Sequence, residues 1–378
     1  MDEERAPGEF IVVLRQPSAK TSNVQYASAV SDKIAALSSK ITVAKKFTNL
    51  RAPILLVKTS DESIMSSLFS IPEVDIIDSN TIDTIDDSTQ VCTSQSTGSR
   101  LWGLSRSSSV DLPNFSTATY NYDTSYGAGV RVYILDTGIR LTHQDFGGRA
   151  EWGITIVPDS GDNDLNGHGT HCAGTAVGAE FGIAKAAAVV AVKTLSDAGS
   201  GLKSYSIEGI DWVLGDVASR GVRGVISMSL GGSAHDGQDS AVNSADAAGV
   251  PVSVSAGNNN YAACNNSPAR AEGAITVGST DNSDTLSSFS NWGSCVNLNG
   301  PGSSILSASH LSDTGSRTLS GTSMSCPHIT GGVAVYLSQN PTATSAQVKA
   351  AMYAAASSDK INMRGTSGTP NLLMYTTC

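Results

Sequence analysis

Apolar and polar positions change period several times along the first ninety residues. Gly8 to Leu14 holds the run Phe-Ile-Val-Val-Leu and reads as a strand. From Tyr26 to Ser38 the apolar residues fall at helical spacing, which puts Val30, Ile34 and Leu37 on one face. Ile41 to Phe47 and Ile54 to Lys58 read as two further strands. Ser60 to Phe69 reads as a second helix, with Ser60 as its cap and Ile64 and Leu68 turned inward. Val74 to Asp78 is a last short strand. The order β-α-β-β-α-β predicts a small ferredoxin-like α+β unit over residues 8–82. Residues 83–99 are polar and poor in apolar side chains, the pattern of an exposed linker.

Beyond residue 100 the pattern becomes longer-range. Val130–Leu135, Val189–Val192, Val225–Ser229, Val250–Val254 and Ala274–Val277 are short, nearly unbroken apolar runs. Strands buried on both faces of a parallel sheet read this way. Between them, Ser206 to Ser219 carries Ile207, Ile210, Val213, Leu214 and Val217 at helical spacing, and Ala241–Ala248 and Gln347–Ala356 are further helices. The alternation predicts a three-layer α/β domain with a mainly parallel sheet over residues 100–378.

Three segments of that domain carry chemistry. Gly321-Thr-Ser-Met-Ser-Cys-Pro-His-Ile-Thr-Gly331 sets Ser323 between a glycine turn and a helical pattern, with Pro327 read as part of the first helical turn. A serine there meets free backbone N–H groups and the positive end of the helix dipole, the groups a developing oxyanion needs. A serine N-cap is the commoner reason for a serine at such a place. Two other segments change the balance. Val130-Arg-Val-Tyr-Ile-Leu-Asp-Thr-Gly138 delivers Asp136 at the end of a buried strand, where open α/β sheets gather functional groups. Asn166-Gly-His-Gly-Thr-His-Cys-Ala-Gly174 presents His168 between two glycines that allow a substrate backbone to approach. Metal ligation by His168, His171 and Cys172 fits poorly, because the zinc-helix spacing His-Glu-x-x-His is missing and no second cysteine cluster follows. Cys172 reads as a small buried apolar residue. Asp136, His168 and Ser323 together make an orienting acid, a base and a nucleophile.

On these motifs the chain resembles the subtilisin-like serine proteases, and within them the proteinase K and aqualysin type. The resemblance runs from about Arg100 to the C-terminus and also rests on Trp102-Gly-Leu, Ser227-Met-Ser-Leu-Gly-Gly, Ser255-Ala-Gly-Asn-Asn-Asn, Phe289-Ser-Asn-Trp-Gly and Gly300-Pro-Gly. It implies that Asn258 and the Ser323 N–H form an oxyanion hole. It also implies that Gly199, Ser200, Gly201 and Ser229, Leu230, Gly231 sandwich an extended peptide. Ser229–Gly231 and Ser255, Ala256, Gly257 would wall a primary pocket for apolar or aromatic side chains. Cys264 and Cys295 match a family disulfide; Cys92 and Cys378 lie near the ends of the segment and could pair, and the states of Cys172 and Cys326 stay open. A structural calcium would sit on backbone carbonyls around Glu272 and Ala274 and on Asn297, though Asn297 replaces the family's aspartate; the chemistry itself needs no cofactor. Further departures are Ser255, Asn266, Ser325 and Cys326, and Lys203, which stands near a cleft-rim position where the family often has tyrosine. The N-terminal unit resembles the inhibitory propeptide of such enzymes through its Phe-Ile-Val-Val-Leu start and Ile-Pro-Glu-Val-Asp-Ile-Ile-Asp end. That implies a zymogen, with the chain's own propeptide as intramolecular inhibitor and self-cleavage near Ser94, between Thr89 and Arg100.

Composition narrows the setting. The 378 residues carry a formal charge of −10 and no basic cluster, which speaks against a nucleic-acid partner, and no apolar run is long enough to span a membrane. The opening Met-Asp-Glu-Glu-Arg has no apolar segment of a signal peptide. The resemblance therefore implies a secreted monomeric endopeptidase acting on proteins and peptides, its signal removed from this sequence; a vacuolar-type compartment fits less well. An alternative is a self-processed, protease-like binding protein that keeps its propeptide. An esterase of the α/β-hydrolase type is disfavoured because no Gly-x-Ser-x-Gly elbow surrounds Ser323.

Overall fold

The computed structural model describes residues 5–17, 21–50, 52–81, 92–366, 368–376 and 378. The chain divides into two compact units, Met1–Thr89 and Gln90–Cys378.

In the first unit four strands form an antiparallel sheet in the order Ile41–Phe47, Ile54–Thr59, Arg5–Leu14, Val74–Thr81. The helix Asn23–Leu37 lays Ala27, Val30 and Ile34 on a core built with Val12, Leu14, Leu55 and Val57. Its start is capped by the Ser22 hydroxyl, which accepts from the Gln25 N–H. Leu37, expected on the inner face, is the last helical residue and is 42% exposed. The second helix is a 3-10 segment, Glu62–Ser70, capped by Asp61 rather than Ser60. Met65 and Leu68 are its buried residues, while Ile64 packs only partly against the core. The β-α-β-β-α-β reading is otherwise realised, with the second helix as a 3-10 segment and Val74–Thr81 as the closing strand.

The second unit is built on a nine-stranded sheet. Its spatial order is Ser357–Ser358, Leu372–Leu373, Leu298–Pro301, Ala274–Thr280, Val252–Ser255, Arg223–Met228, Val130–Asp136, Ala188–Lys193, Ala150–Thr155. All neighbours in it are parallel except the first pair. Every residue of Val130–Asp136 is buried, as a central strand covered on both faces requires. One face packs on the helices His168–Val177 and Thr322–Gln339, through residues such as Ala173, Ile329 and Val333. The other packs on Lys203–Arg220 and Asp236–Ala247, through Ile210, Val213 and Val242. Thr322–Gln339 is buried on nearly every side, so it is a central helix rather than an amphipathic surface one.

The expected linker over 83–99 is shorter than read. Cys92–Ser96 is a strand paired antiparallel with Thr119–Asp123, and Cys92 is bonded to Cys378. Polar alternation hid this strand, since its stabilising partners lie far away in sequence. Residues 83–91 of the expected linker lie outside the described residues, and 97–99 begin a turn in which Thr97 is buried and donates to the Ala118 carbonyl. A second disulfide joins Cys264 and Cys295, as the resemblance implied.

Candidate active site

The chain leaves Val130–Asp136 with Ala188–Lys193 on one side and Arg223–Met228 on the other. Ligands of open α/β sheets collect where strand order reverses in this way, at the carboxyl ends of the strands. Asp136 closes the first strand, Ser229 follows Arg223–Met228, and Asn258 follows Val252–Ser255. The helices starting at His168 and Thr322 point their N-termini at the same edge.

Asp136 is fully buried, and its two carboxylate oxygens lie 2.8 and 2.9 Å from His168 Nδ1. Oδ1 also accepts the Thr137 N–H at 2.7 Å, so the acid is held from its own loop. Gly169 permits this pairing: a Cβ there would stand 2.2 Å from the Gly138 carbonyl oxygen and 3.2 Å from Asp136 Cβ. The glycine read as making room for substrate thus also lets the His168 helix close on the Asp136 loop. Burial works against the imidazolium, but the Asp136 charge, assisted by the neighbouring Cys172, outweighs it and raises His168 well above its ordinary value.

Asp164, which sequence reasoning missed, clamps the same two segments together. It is buried, and Oδ1 accepts from Thr137 Oγ1 at 2.9 Å, Asn166 N at 3.1 Å and Gly167 N at 2.7 Å. Oδ2 accepts from Thr170 N at 3.0 Å and Thr170 Oγ1 at 2.6 Å. An aspartate just before a glycine and a helix start was the signal that could have found it.

The Ser323 hydroxyl donates to the Ser229 carbonyl at 3.2 Å. Pro327 stands one turn inside the helix rather than in its first turn, because the helix begins at Thr322. A proline at that position brings no N–H to the carbonyl four residues back, which is that of Ser323. The carbonyl is met from outside the helix instead, by Ser229 Oγ at 2.8 Å and Cys172 Sγ at 3.4 Å. Cys172 also lies 3.9 Å from His168 Nδ1, so it bridges the Ser323 backbone to His168. Burial raises both free thiols, Cys326 up to about 12, which keeps them protonated.

Asn258 is oriented by its partners. Its Oδ1 accepts from Thr322 N at 2.8 Å and Thr322 Oγ1 at 2.9 Å, which leaves Nδ2 as the outward donor. A Cβ on Gly321 would lie 3.4 Å from Asn258 Nδ2 and 3.6 Å from the Ser323 nitrogen, so the glycine keeps open the space between two donors. Thr322 is the second functional residue that sequence reasoning passed over.

Two cavities meet along Ser229–Ser233. One, of about 570 Å³, runs from His168 and Leu195 past Gly199–Gly201 to Lys203 and Gln238. The other, of about 440 Å³, is walled by Ser229–Gly231 and Ser255–Gly257 and reaches Asn258, Ala269 and Ser323. Every segment expected to hold substrate therefore lines one of them. Asn266 lines the second cavity and accepts a hydrogen bond from the Tyr261 hydroxyl.

His171 Nε2 faces the Ile305 carbonyl at 3.0 Å, away from His168. Among the described residues, the one cluster of three possible ligands is Asp136, His168 and Cys172, and its acid and base are already paired with each other. At the anticipated calcium position, where Glu272 and Ala274 would offer backbone carbonyls, the one side-chain ligand is an amide, and Asn297 Oδ1 accepts the Thr276 N–H at 2.8 Å. That set offers no buried carboxylate to a hard cation, so it does not fit calcium, and no chemistry is routed through one.

A model of the "Subtilase family" matches residues 127–372. Alkaline serine exoprotease A of Vibrio alginolyticus is 39% identical over 371 residues, covering 97% of this chain and 67% of the relative. The extracellular serine proteinase of Thermus sp. (strain Rt41A) is 47% identical over 276 residues, 73% of this chain and 66% of the relative. A cuticle-degrading serine protease of Arthrobotrys oligospora is 43% identical over 284 residues, 74% and 66% of the two chains. The chain thus spans about two thirds of the length of these relatives. The crystal structure of a cold adapted subtilisin-like serine proteinase superposes with a TM-score of 0.68 at 44% identity, over 73% of this chain and 98% of the other. Agreement at this level in sequence and in fold, across the segments that hold Asp136, His168, Asn258 and Ser323, places the chain in the subtilase family as a subtilisin-like serine protease.

Proposed function

We propose that the chain is a secreted serine endopeptidase, made as a zymogen and matured by its own cut. The observation that carries this reading is the meeting of the Asp136–His168 pair, Ser323 and the Asn258 amide at the head of two joined clefts. A peptide laid between Gly199–Gly201 and Ser229–Gly231 adds as a strand, which reads backbone and permits broad sequence specificity. The residue before the scissile bond enters the cavity of Ser255–Gly257, whose Ala256 and Ala269 favour apolar or aromatic side chains.

Ser323 Oγ leaves the Ser229 carbonyl, gives its proton to His168 Nε2 and attacks the substrate carbonyl carbon. Asp136 holds Nδ1–H and stabilises the imidazolium without taking the proton. The tetrahedral oxygen binds Asn258 Nδ2 and the Ser323 N–H. His168 then protonates the leaving amine, and water releases the acyl group by the reverse sequence.

The N-terminal unit acts as intramolecular inhibitor until it is removed. The cut falls between Thr89 and Arg100, and the Cys92–Cys378 bond makes its position readable. A cut before Cys92 frees the N-terminal unit, whereas a cut at Ser94 leaves it attached through that bond. Extracellular relatives support secretion, and a monomer suffices for every step.

Intact mass of the protein and of Ser323→Ala, with and without reductant, is the test. Two fragments in the wild type alone, with peptide turnover, support the reading. Fragments without turnover would favour a protease-like binding protein that retains its propeptide. An uncut, inactive, folded wild type would refute autonomous maturation.

A further inference from the structure

The far end of the first cleft carries a cation that, among the described residues, makes no direct ion pair. Lys203 is half-buried there, and its Nζ donates to the Gln238 side-chain oxygen at 3.0 Å. Gln238 is buried and held in place, its Nε2 donating to Ser206 Oγ at 2.7 Å. The nearby carboxylate, Asp239, is engaged by Arg270 at 2.6 Å, and Arg270 also pairs with Asp236. Arg270 offsets only one of these two carboxylates, and Asp239 still acts on Lys203 through space, but the group in direct contact with the ammonium is a neutral amide. Lys203 also opens the helix Lys203–Arg220, whose first turn has no acidic residue and whose cap offers no side-chain acceptor. The helix dipole adds to the positive field at that point. Burial already lowers the lysine from its ordinary value, the sign of an ammonium short of anionic compensation.

Strand geometry says which substrate residue reaches it. Successive side chains of an extended peptide alternate faces and advance about 3.3 Å each. With the residue before the scissile bond in the Ser255–Gly257 cavity, the second and fourth residues before the bond face the other cleft. The second lies by His168 and Leu195, and the fourth lies about 7 Å further on, toward Lys203 and Gln238. We infer that Lys203 is a specificity-determining residue that selects an acidic side chain, Glu or Asp, at the fourth position before the cleaved bond. Gln238 positions the ammonium for that contact. The inference rests on the endopeptidase reading and sharpens it: the substrates cut fastest pair an apolar residue at the bond with an acidic residue three positions upstream.

The test is a set of chromogenic tetrapeptides, identical except for Ala, Leu, Glu, Asp or Lys at the first residue, assayed with wild type, Lys203→Met, Lys203→Gln and Ser323→Ala at low and high salt. The expected kcat/KM is about fivefold higher for Glu than for Ala, and about tenfold or more higher for Glu than for Lys, as a partly desolvated ion pair supplies. Raising the ionic strength shrinks the wild-type Glu-to-Lys ratio. Both Lys203 variants bring that ratio close to one, and the salt titration of the wild type carries the test if neither variant folds. Equal rates for Glu and Lys, or a ratio indifferent to both salt and Lys203, would overturn the inference while Ala-peptide turnover that requires Ser323 leaves the protease reading standing. Absence of Ser323-dependent turnover for every peptide would overturn both.

Discussion

Replacing Asn258 tests the proposed oxyanion hole apart from the rest of the machinery. The side chain has two roles in the structure. Its Oδ1 holds two Thr322 donors at 2.8 and 2.9 Å, and its Nδ2 faces the space beside the Ser323 N–H. Asn258→Ala removes both roles. Loss of one preorganised donor raises the acylation barrier by about 2.7–4 kcal/mol, a fall in kcat of about 10²–10³. The orphaned Thr322 N–H sits in a fully buried residue and adds a stability cost of about 1–3 kcal/mol. Asn258→Asp separates the two effects: the carboxylate still accepts both Thr322 bonds, so stability is largely retained. It donates nothing and repels the oxyanion, so kcat falls at least as far. KM for a short peptide amide stays within about threefold in both variants, because the donor acts on charge that exists only in the transition state. Steady-state kinetics on a peptide anilide, beside chemical denaturation of each variant, reads both quantities. A folded Asn258→Ala protein with kcat reduced less than about tenfold, or a loss confined to KM, would refute the assignment.

The pH profile of kcat/KM should rise through the His168 ionisation, because only the neutral imidazole accepts the Ser323 proton. Its raised value puts that limb above the ordinary 6.5, and Asp136→Asn, which removes the raising charge, should move the residual activity's limb to lower pH. Gly169→Ala should drive the His168 helix off the Gly138 carbonyl, lowering kcat by about 10² through misplacement of the base; wild-type kcat in this variant would discount the close approach. Loss of the Cys92–Cys378 bond, which spans 286 residues, should cost about 2–5 kcal/mol in denaturation of the uncut Ser323→Ala chain, and an unchanged midpoint for Cys92→Ser/Cys378→Ser in that background would show that it constrains nothing. Ser229→Ala should cost about 1 kcal/mol by removing a donor from the Ser323 carbonyl, and Pro327→Ala in that background should restore part of it by supplying a helical N–H; additivity of the two would deny the link.

Much of this site was legible in the chain because its chemistry lies in short, contiguous motifs. Asp136 ends an apolar run, His168 and Ser323 open helices, and each proposed role follows from residue type and neighbours. The central strands were equally readable, since burial on both faces demands unbroken apolar sequence. What the sequence could not carry was contact between distant segments. The polar strand Cys92–Ser96 has no periodic signal of its own and exists through Thr119–Asp123 and Cys378. Asn297 looked like a cation ligand until the fold turned its oxygen onto Thr276. Thr322 and Asp164 gained their roles only when folding brought Asn258 to one and the Asp136 loop and His168 helix to the other. Residue types and local spacing therefore determined which groups can do the chemistry. Tertiary structure decided which atoms they offer, because a hydrogen bond has direction and most of its partners here come from dozens to hundreds of residues away.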